Sequence, residues 1–230
     1  LSDLDGGDDS VLREVFNFRF PVGLGIEGTA LGNLLLVALT SILGSEEKAI
    51  EMAGKILRCR GEVIPVTLEK TNLVAEYEEG VTVVGKHDGR LRVKNLYLLP
   101  QVKSNPRATK SITDADVVVI GPGDLYTSLL PPLIVKGISE AILGSKSTKV
   151  FVLNLVNKYG QTYGFTASDY LKEIYKYTGI RFDYVLVNSS KLPEEVLLKY
   201  AEEKSFPPQD DLGNPEEPKI IRGDFVSRDI

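Results

Sequence analysis

Cysteine occurs once in the 230-residue sequence, at Cys59. An intrachain disulfide and a cysteine-built metal cluster are excluded, and a reducing compartment is the expected setting. Histidine also occurs once, at His87. A multi-histidine zinc site is therefore ruled out, and any Ser-His-Asp arrangement would have to be built around that one residue. No apolar run reaches the roughly 18–20 residues that span a bilayer. Basic residues are not in excess: 27 Lys and Arg face 32 Asp and Glu, a net charge of −5. That balance carries no electrostatic footprint for nucleic acid or an anionic membrane. The phosphate-binding pattern G-x-x-x-x-G-K-[ST] is missing as well.

What is present is ordinary globular composition, with 43% hydrophobic and 26% charged residues, and the length fits a single domain over 1–230. The front is acidic and glycine-rich (Asp3, Asp5, Gly6, Gly7, Asp8, Asp9). A short helix is expected from about Ser10, with Ser10 as its cap. Leu31 to Leu43 carries apolar residues on nearly every face and predicts a mostly buried helix closed by Gly44. Ser45 opens the next helix. Between residues 62 and 99 the period shortens. Val63–Val66, Leu73–Tyr77, Val81–Val84 and Leu91–Val93 predict a small antiparallel section, with turns at Glu79-Gly80 and Asp88-Gly89.

From Asp114 strands and helices alternate. Asp116–Ile120, Lys149–Leu155 and Phe182–Val187 are apolar runs of strand length, the first reading as a strand covered on both faces. Helices are expected from Pro131 to Gly144, from the capping-box spacing Thr166-Ala-Ser-Asp169 to Gly179, and from Pro193 to about Glu203. Residues 205–218 are a proline-bearing exposed connection, and Ile220–Val226 an edge strand. This alternation argues for α/β architecture with a parallel sheet.

The sharpest motif is Gly121-Pro122-Gly123-Asp124-Leu125-Tyr126-Thr127-Ser128, which lies between a strand and a helix. Ligands of open α/β sheets bind outside the carboxyl ends of the strands. Glycines allow close backbone approach, and Thr127 and Ser128 add hydroxyl donors for phosphate oxygens. Asp124 beside a phosphate asks for a bridging cation, and Mg²⁺ is the candidate. The competing interpretation is that Gly-Pro-Gly only turns the chain. Asn154, Asn157, Gln161 and Thr162 form a polar loop suited to reading a sugar or base, or simply a surface loop. Gly32 and Asn33 open the first apolar helix, where capping is the commoner use of Asn. Gly23-Leu-Gly25-Ile-Glu-Gly28 spells a dinucleotide fingerprint, but no strand precedes it and a second helix follows where a strand is required. His87 lies at an expected hairpin tip, and Cys59, between Arg58 and Arg60 at a helix end, fits a structural role.

Leu31-Gly-Asn-Leu-Leu-Leu36, Val63-Ile-Pro-Val-Thr67, Gly121–Ser128, the Asn154–Thr162 loop and Ala167-Ser-Asp169 occur in this order. In this the sequence resembles the gluconeogenesis factor family, the relatives of 2-phospho-L-lactate transferase, over nearly its whole length. The resemblance implies a Rossmann-like three-layer α/β sandwich that binds a nucleotide-sugar such as UDP-N-acetylglucosamine. It implies a cytoplasmic regulator linked to carbon metabolism and cell shape, with a homo-oligomer among its expected assemblies. The alternative is a Mg²⁺-dependent transferase joining a phospholactyl group to a deazaflavin precursor, so whether there is turnover stays open. Under the resemblance the Gly121–Ser128 loop meets the ligand phosphates, with Gly32, Asn33, Asn154, Asn157, Gln161, Thr162 and Asp169 around it. No catalytic residue is assigned. Three positions depart from the family pattern: Thr29 and Tyr170 stand where it usually has His, and Gln161 where it has Glu. Each removes an ionisable group. The family's glycine-rich phosphate loop and its Asp-Asp-Gly-Gly-Ser-Ser-Gly segment are not found, so the front of the domain is expected to lie before Leu1.

Overall fold

The computed structural model describes residues 10–21, 25–78, 82–83 and 93–226. The acidic front and the Glu79-Gly80, His87 and Asp88-Gly89 turns lie outside these residues. The chain packs as two units, Leu1–Leu68 and Glu69–Ile230.

Among the described residues the first unit contains three helices, α1 (Ser10–Asn17), α2 (Leu31–Leu43) and α3 (Glu46–Ile56). Gly44 ends α2 in the left-handed conformation, φ 67°, and the Ser45 hydroxyl accepts the Lys48 N–H to start α3, as both residues predict. The expected burial of α2 does not hold. None of its residues is buried, and Val37 and Ile42 are 65% and 78% exposed. Apolar composition reports what a helix could bury, while a partner on each side decides what it does bury. Before α2 the chain makes a hairpin-like loop in which Arg19 pairs with Ala30 and Gly28 N–H reaches the Phe20 carbonyl. The described part of the glycine fingerprint, Gly25 to Gly28, is the turn of this loop, not a strand-to-helix crossing.

Among the described residues the second unit carries two sheets. The smaller is antiparallel, order β2-β1-β3, from β1 (Asn72–Tyr77), β2 (Thr82–Val83) and β3 (Val93–Leu99). Val63–Val66 is not a strand; Pro65 lacks the N–H that a ladder requires. The larger sheet is parallel, order β4-β5-β6-β7, from β4 (Val117–Ile120), β5 (Thr148–Val152), β6 (Tyr184–Asn188) and β7 (Lys219–Gly223). β7 is an edge strand, as expected. β4 is the other edge, and the expectation that both its faces are covered fails: Val117 and Val119 are 51% and 58% exposed. On the opposite face Ile120, Phe151 and Val185 are buried, and the Phe151 ring meets Tyr170 and Phe182 at 6.5 and 5.2 Å between centroids.

The connections carry α4 (Pro106–Asp114), α5 (Leu130–Leu133), α6 (Ile138–Gly144), α7 (Ala167–Thr178) and α8 (Glu194–Glu202). α4 begins with an Asn105 cap and Pro106 in the first turn. The single helix expected from Pro131 to Gly144 is two: Gly137, at φ 101°, separates α5 from α6. α7 starts as its spacing predicts, with the Asp169 carboxylate accepting the Thr166 N–H at 3.1 Å. Asp169→Ala, which removes that acceptor, is expected to cost about 1 kcal/mol, measured as the shift in urea midpoint.

Candidate functional site

Parallel strands place their carboxyl ends on one edge, and the loops leaving β4, β5 and β6 gather there. Gly121 leaves β4 at φ 91°. A Cβ at this position would sit 2.6 Å from the Val152 carbonyl oxygen, so the glycine permits a backbone contact between the ends of β4 and β5. Beyond it Leu125–Leu129 forms a π-helical turn that runs into α5. The Asp124 carbonyl accepts both the Ser128 and Leu129 N–H groups, at 2.8 and 3.0 Å. π-turns of this kind occur frequently at functional sites.

Two amides hold the loop in place. Asn154, just after β5, donates to the Gly123 carbonyl at 2.9 Å and accepts the Gly123 N–H at 3.5 Å. Gln161 accepts the Tyr126 N–H at 3.2 Å and donates to the Thr127 hydroxyl at 3.1 Å and to the Asp124 carboxylate at 3.5 Å. The two motifs singled out in the sequence are thus one structure, joined across 31 to 37 residues of chain. Tyr126 is buried against Phe165. Pro122, Thr127 and Ser128 are exposed, and the Ser128 hydroxyl is available on this surface.

Asn157 and Thr162 lie beneath it, 5% and 1% exposed. Both bond the Tyr170 hydroxyl at 2.9 Å, and Asn157 also donates to the Phe165 carbonyl. Tyr170 itself is fully buried. Burial pushes its phenol up to about 12, the Thr162 bond opposes the shift, and the Asp124 charge adds to it. Asp169 is half-buried at the start of α7. Burial raises its carboxyl, but the Thr166 N–H and hydroxyl and Lys172 outweigh that, leaving it below the usual carboxylate range. Gly32 and Asn33 belong to the other unit. A Cβ on Gly32 would sit 3.0 Å from the Phe16 carbonyl oxygen. Asn33 is exposed and does not cap α2, whose cap position is Ala30.

The sequence reading missed the contribution of the 205–218 connection. Its near half is bound along this same edge: Phe206 C=O accepts the Asn157 N–H, Gln209 C=O accepts the Ala167 N–H, and the Asp211 carboxylate accepts both the Ser168 N–H and hydroxyl. Arg222 of β7 grips Asp210 through two nitrogens, at 2.6 and 3.1 Å, and also reaches Asn214 and the Gly213 carbonyl. The Arg222 bond is the main reason the Asp210 carboxyl titrates low. Arg222→Ala is expected to cost about 1 kcal/mol, since the pair is partly exposed, and to speed proteolysis within 205–214. A wild-type cleavage pattern would overturn this.

The family profile described as 2-phospho-L-lactate transferase matches residues 3–226. The chain belongs to this CofD family. Within the family it is similar to the gluconeogenesis factor of Halalkalibacterium halodurans, 39% identical over 204 residues, which are 86% of this chain and 63% of the relative. It is also 36% identical to the gluconeogenesis factor of Bacillus subtilis over 217 residues, 92% of this chain and 67% of the relative. A crystal structure from Bacillus halodurans superposes with a TM-score of 0.88 at 36% identity, covering 98% of this chain and 75% of that one. The chain therefore spans about two thirds of the length of these curated CofD-family relatives, and just under that for the first. The Rossmann-like α/β fold is shared with the solved relative. Among the described residues no helix is long and apolar enough to cross a membrane.

Proposed function

We propose that this CofD-family chain binds a nucleotide-sugar of the UDP-N-acetylglucosamine type and acts as a cytoplasmic regulator of carbon metabolism and cell shape. The carrying observation is the Gly121–Ser128 loop, held rigid at the carboxyl ends of a parallel sheet by Asn154 and Gln161. A preorganised loop with a glycine at the point of closest backbone approach and exposed hydroxyls at Thr127 and Ser128 suits phosphate oxygens without a lysine. The relatives named gluconeogenesis factor support the physiological side of the reading.

The match to a family described as 2-phospho-L-lactate transferase supports a second reading, phospholactyl transfer, with Mg²⁺ as its expected ion. Mg²⁺ is usually held by one or two carboxylates together with substrate phosphates, and Asp124, the one carboxylate of the loop, would be the residue to hold it while accepting from Gln161. The relatives named gluconeogenesis factor favour the regulator reading.

Thermal unfolding of the chain with UDP-N-acetylglucosamine, with GMP and Mg²⁺, and with NAD tests this. UDP-N-acetylglucosamine is expected to raise the unfolding midpoint, and Gly123→Val to remove that rise. A Cβ at Gly123 would already stand 3.0 Å from the Leu129 side chain and 3.5 Å from Ser128 Cβ, so valine crowds the loop surface. Stabilisation by NAD alone, or an undiminished rise in the valine variant, would overturn the proposal.

A further inference from the structure

On the opposite edge of the parallel sheet, where β6 and β7 begin, lies a cavity of about 300 Å³. Leu171 of α7, Ile180 and Phe182 of the turn into β6, and Pro218 before β7 give it apolar walls. Those walls are fixed in place. Gly179 ends α7 at φ 70°, the Thr178 hydroxyl accepts the Ile180 N–H at 3.1 Å, and the Asp183 carbonyl accepts the Lys219 N–H at 2.8 Å. Ile180 and Phe182 are buried, and the Phe182 ring packs on Phe151 of the core. The volume is at the small end for ligand sites, so it suits a compact molecule.

Lys172, Arg181 and Glu217 bring charge to this cavity, and the last two have it to spare. Lys172 already donates to the Asp169 carboxylate and the Ser168 hydroxyl. Arg181 lies over the Tyr175 ring, 4.9 Å from its centroid, with Nη2 donating to the Tyr175 hydroxyl at 3.4 Å. Among the described residues it makes no ion pair, and neither does Glu217. The Tyr175 stack orients the guanidinium before any anion arrives, and a carboxylate matches its fork through two parallel hydrogen bonds. Glu217 asks for the opposite, a cationic group that donates. A free cation and a free anion on one apolar cavity complement a molecule that carries both charges and an apolar body. A phosphate satisfies only Arg181 and is repelled by Glu217, and a plain hydrocarbon uses neither.

We infer that this cavity binds a free α-amino acid with an apolar side chain. Its carboxylate meets Arg181, its ammonium meets Glu217, and its side chain lies among Leu171, Ile180, Phe182 and Pro218. The site does not depend on the proposed nucleotide ligand, whose loop is at the other edge of the sheet. Calorimetry on the whole chain with leucine as the probe tests it. Saturable binding is expected. It should weaken at least tenfold for leucinamide, which lacks the carboxylate, and for N-acetylleucine, which lacks the ammonium, because each loses a charge-assisted bond. Glycine, which has no side chain to bury, should weaken as much. Arg181→Gln and Glu217→Gln replace exposed side chains, so an unchanged urea midpoint is expected to show that both variants fold. Each should weaken leucine at least tenfold, while Glu217→Gln leaves the residual N-acetylleucine affinity within twofold of wild type. Absence of saturable leucine binding would overturn the proposal, as would wild-type leucine affinity in either variant or equal affinity for leucine and N-acetylleucine. Tighter binding of a leucine-containing peptide than of leucine would overturn it too, and would give the cavity to a protein segment.

Discussion

Replacing Gly121 with alanine is expected to lower stability by about 2–4 kcal/mol and to abolish ligand-induced stabilisation with it. Two costs meet at this residue. Its φ of 91° is a conformation that L side chains rarely adopt. A new Cβ would also lie 2.6 Å from the Val152 carbonyl oxygen, well inside any real contact. The obstructing atom is backbone at the end of a central strand, so no side-chain rotation relieves it. Either β4 and β5 separate at their carboxyl ends, or the loop leaves its seat and Asn154 loses Gly123. Gly25 provides the control. Its φ is 84°, but nothing lies within 4 Å of its would-be Cβ, so alanine there bears the backbone cost alone, about 1 kcal/mol. Urea unfolding of the two variants gives both numbers. Equal losses would show that the Val152 contact contributes nothing.

The comparison of sequence with structure divides along the distinction between local and distant determinants. The strand–helix alternation after Asp114, the Ser45 and Thr166 starts and the Gly44 and Gly179 stops were legible because each depends on residues a few positions apart. The helix from Pro106 carries an equally local signal, Asn105 followed by proline. Burial was the weaker reading. Leu31–Leu43 and Val117–Ile120 have the composition of interior elements, yet Ile42 and Val119 face solvent, because hydrophobic pattern carries no information about how many neighbours arrive. At the site, the residue types were legible and their roles were not. Asn154 and Gln161 are suited to a ligand by chemistry, but their amides bond a loop more than thirty residues away. Nothing in their spacing announces that partner. The 205–214 segment reads as mere connection for the same reason, since its bonds to Asn157, Ala167 and Ser168 are made by two backbone carbonyls and one aspartate, Asp211.

Tyr170 supplies the second large effect, expressed through pH. Its hydroxyl bonds Asn157 and Thr162 in a fully buried position, and burial holds its phenol protonated up to about 12 against an ordinary value of 10.0. In the unfolded chain the phenol ionises near its ordinary value. Above that pH the unfolded state sheds a proton that the folded state keeps, so the stabilisation is complete below pH 10 and is lost as pH rises through about 12. Two units at about 1.4 kcal/mol each give a loss near 2.7 kcal/mol. Burial pushes Tyr77 to about 12 as well, so it adds to the same alkaline decline. Tyr170→Phe is expected to cost about 1–3 kcal/mol at pH 7, because Asn157 and Thr162 lose a buried partner. In exchange its stability should fall less steeply between pH 10 and 12, with the Tyr77 contribution remaining. Urea midpoints at pH 7, 9, 10 and 11 for both proteins measure the two slopes. Parallel curves would show that the Tyr170 phenol ionises freely in the folded chain and that the Asn157–Tyr170–Thr162 network does not seal the floor of the site.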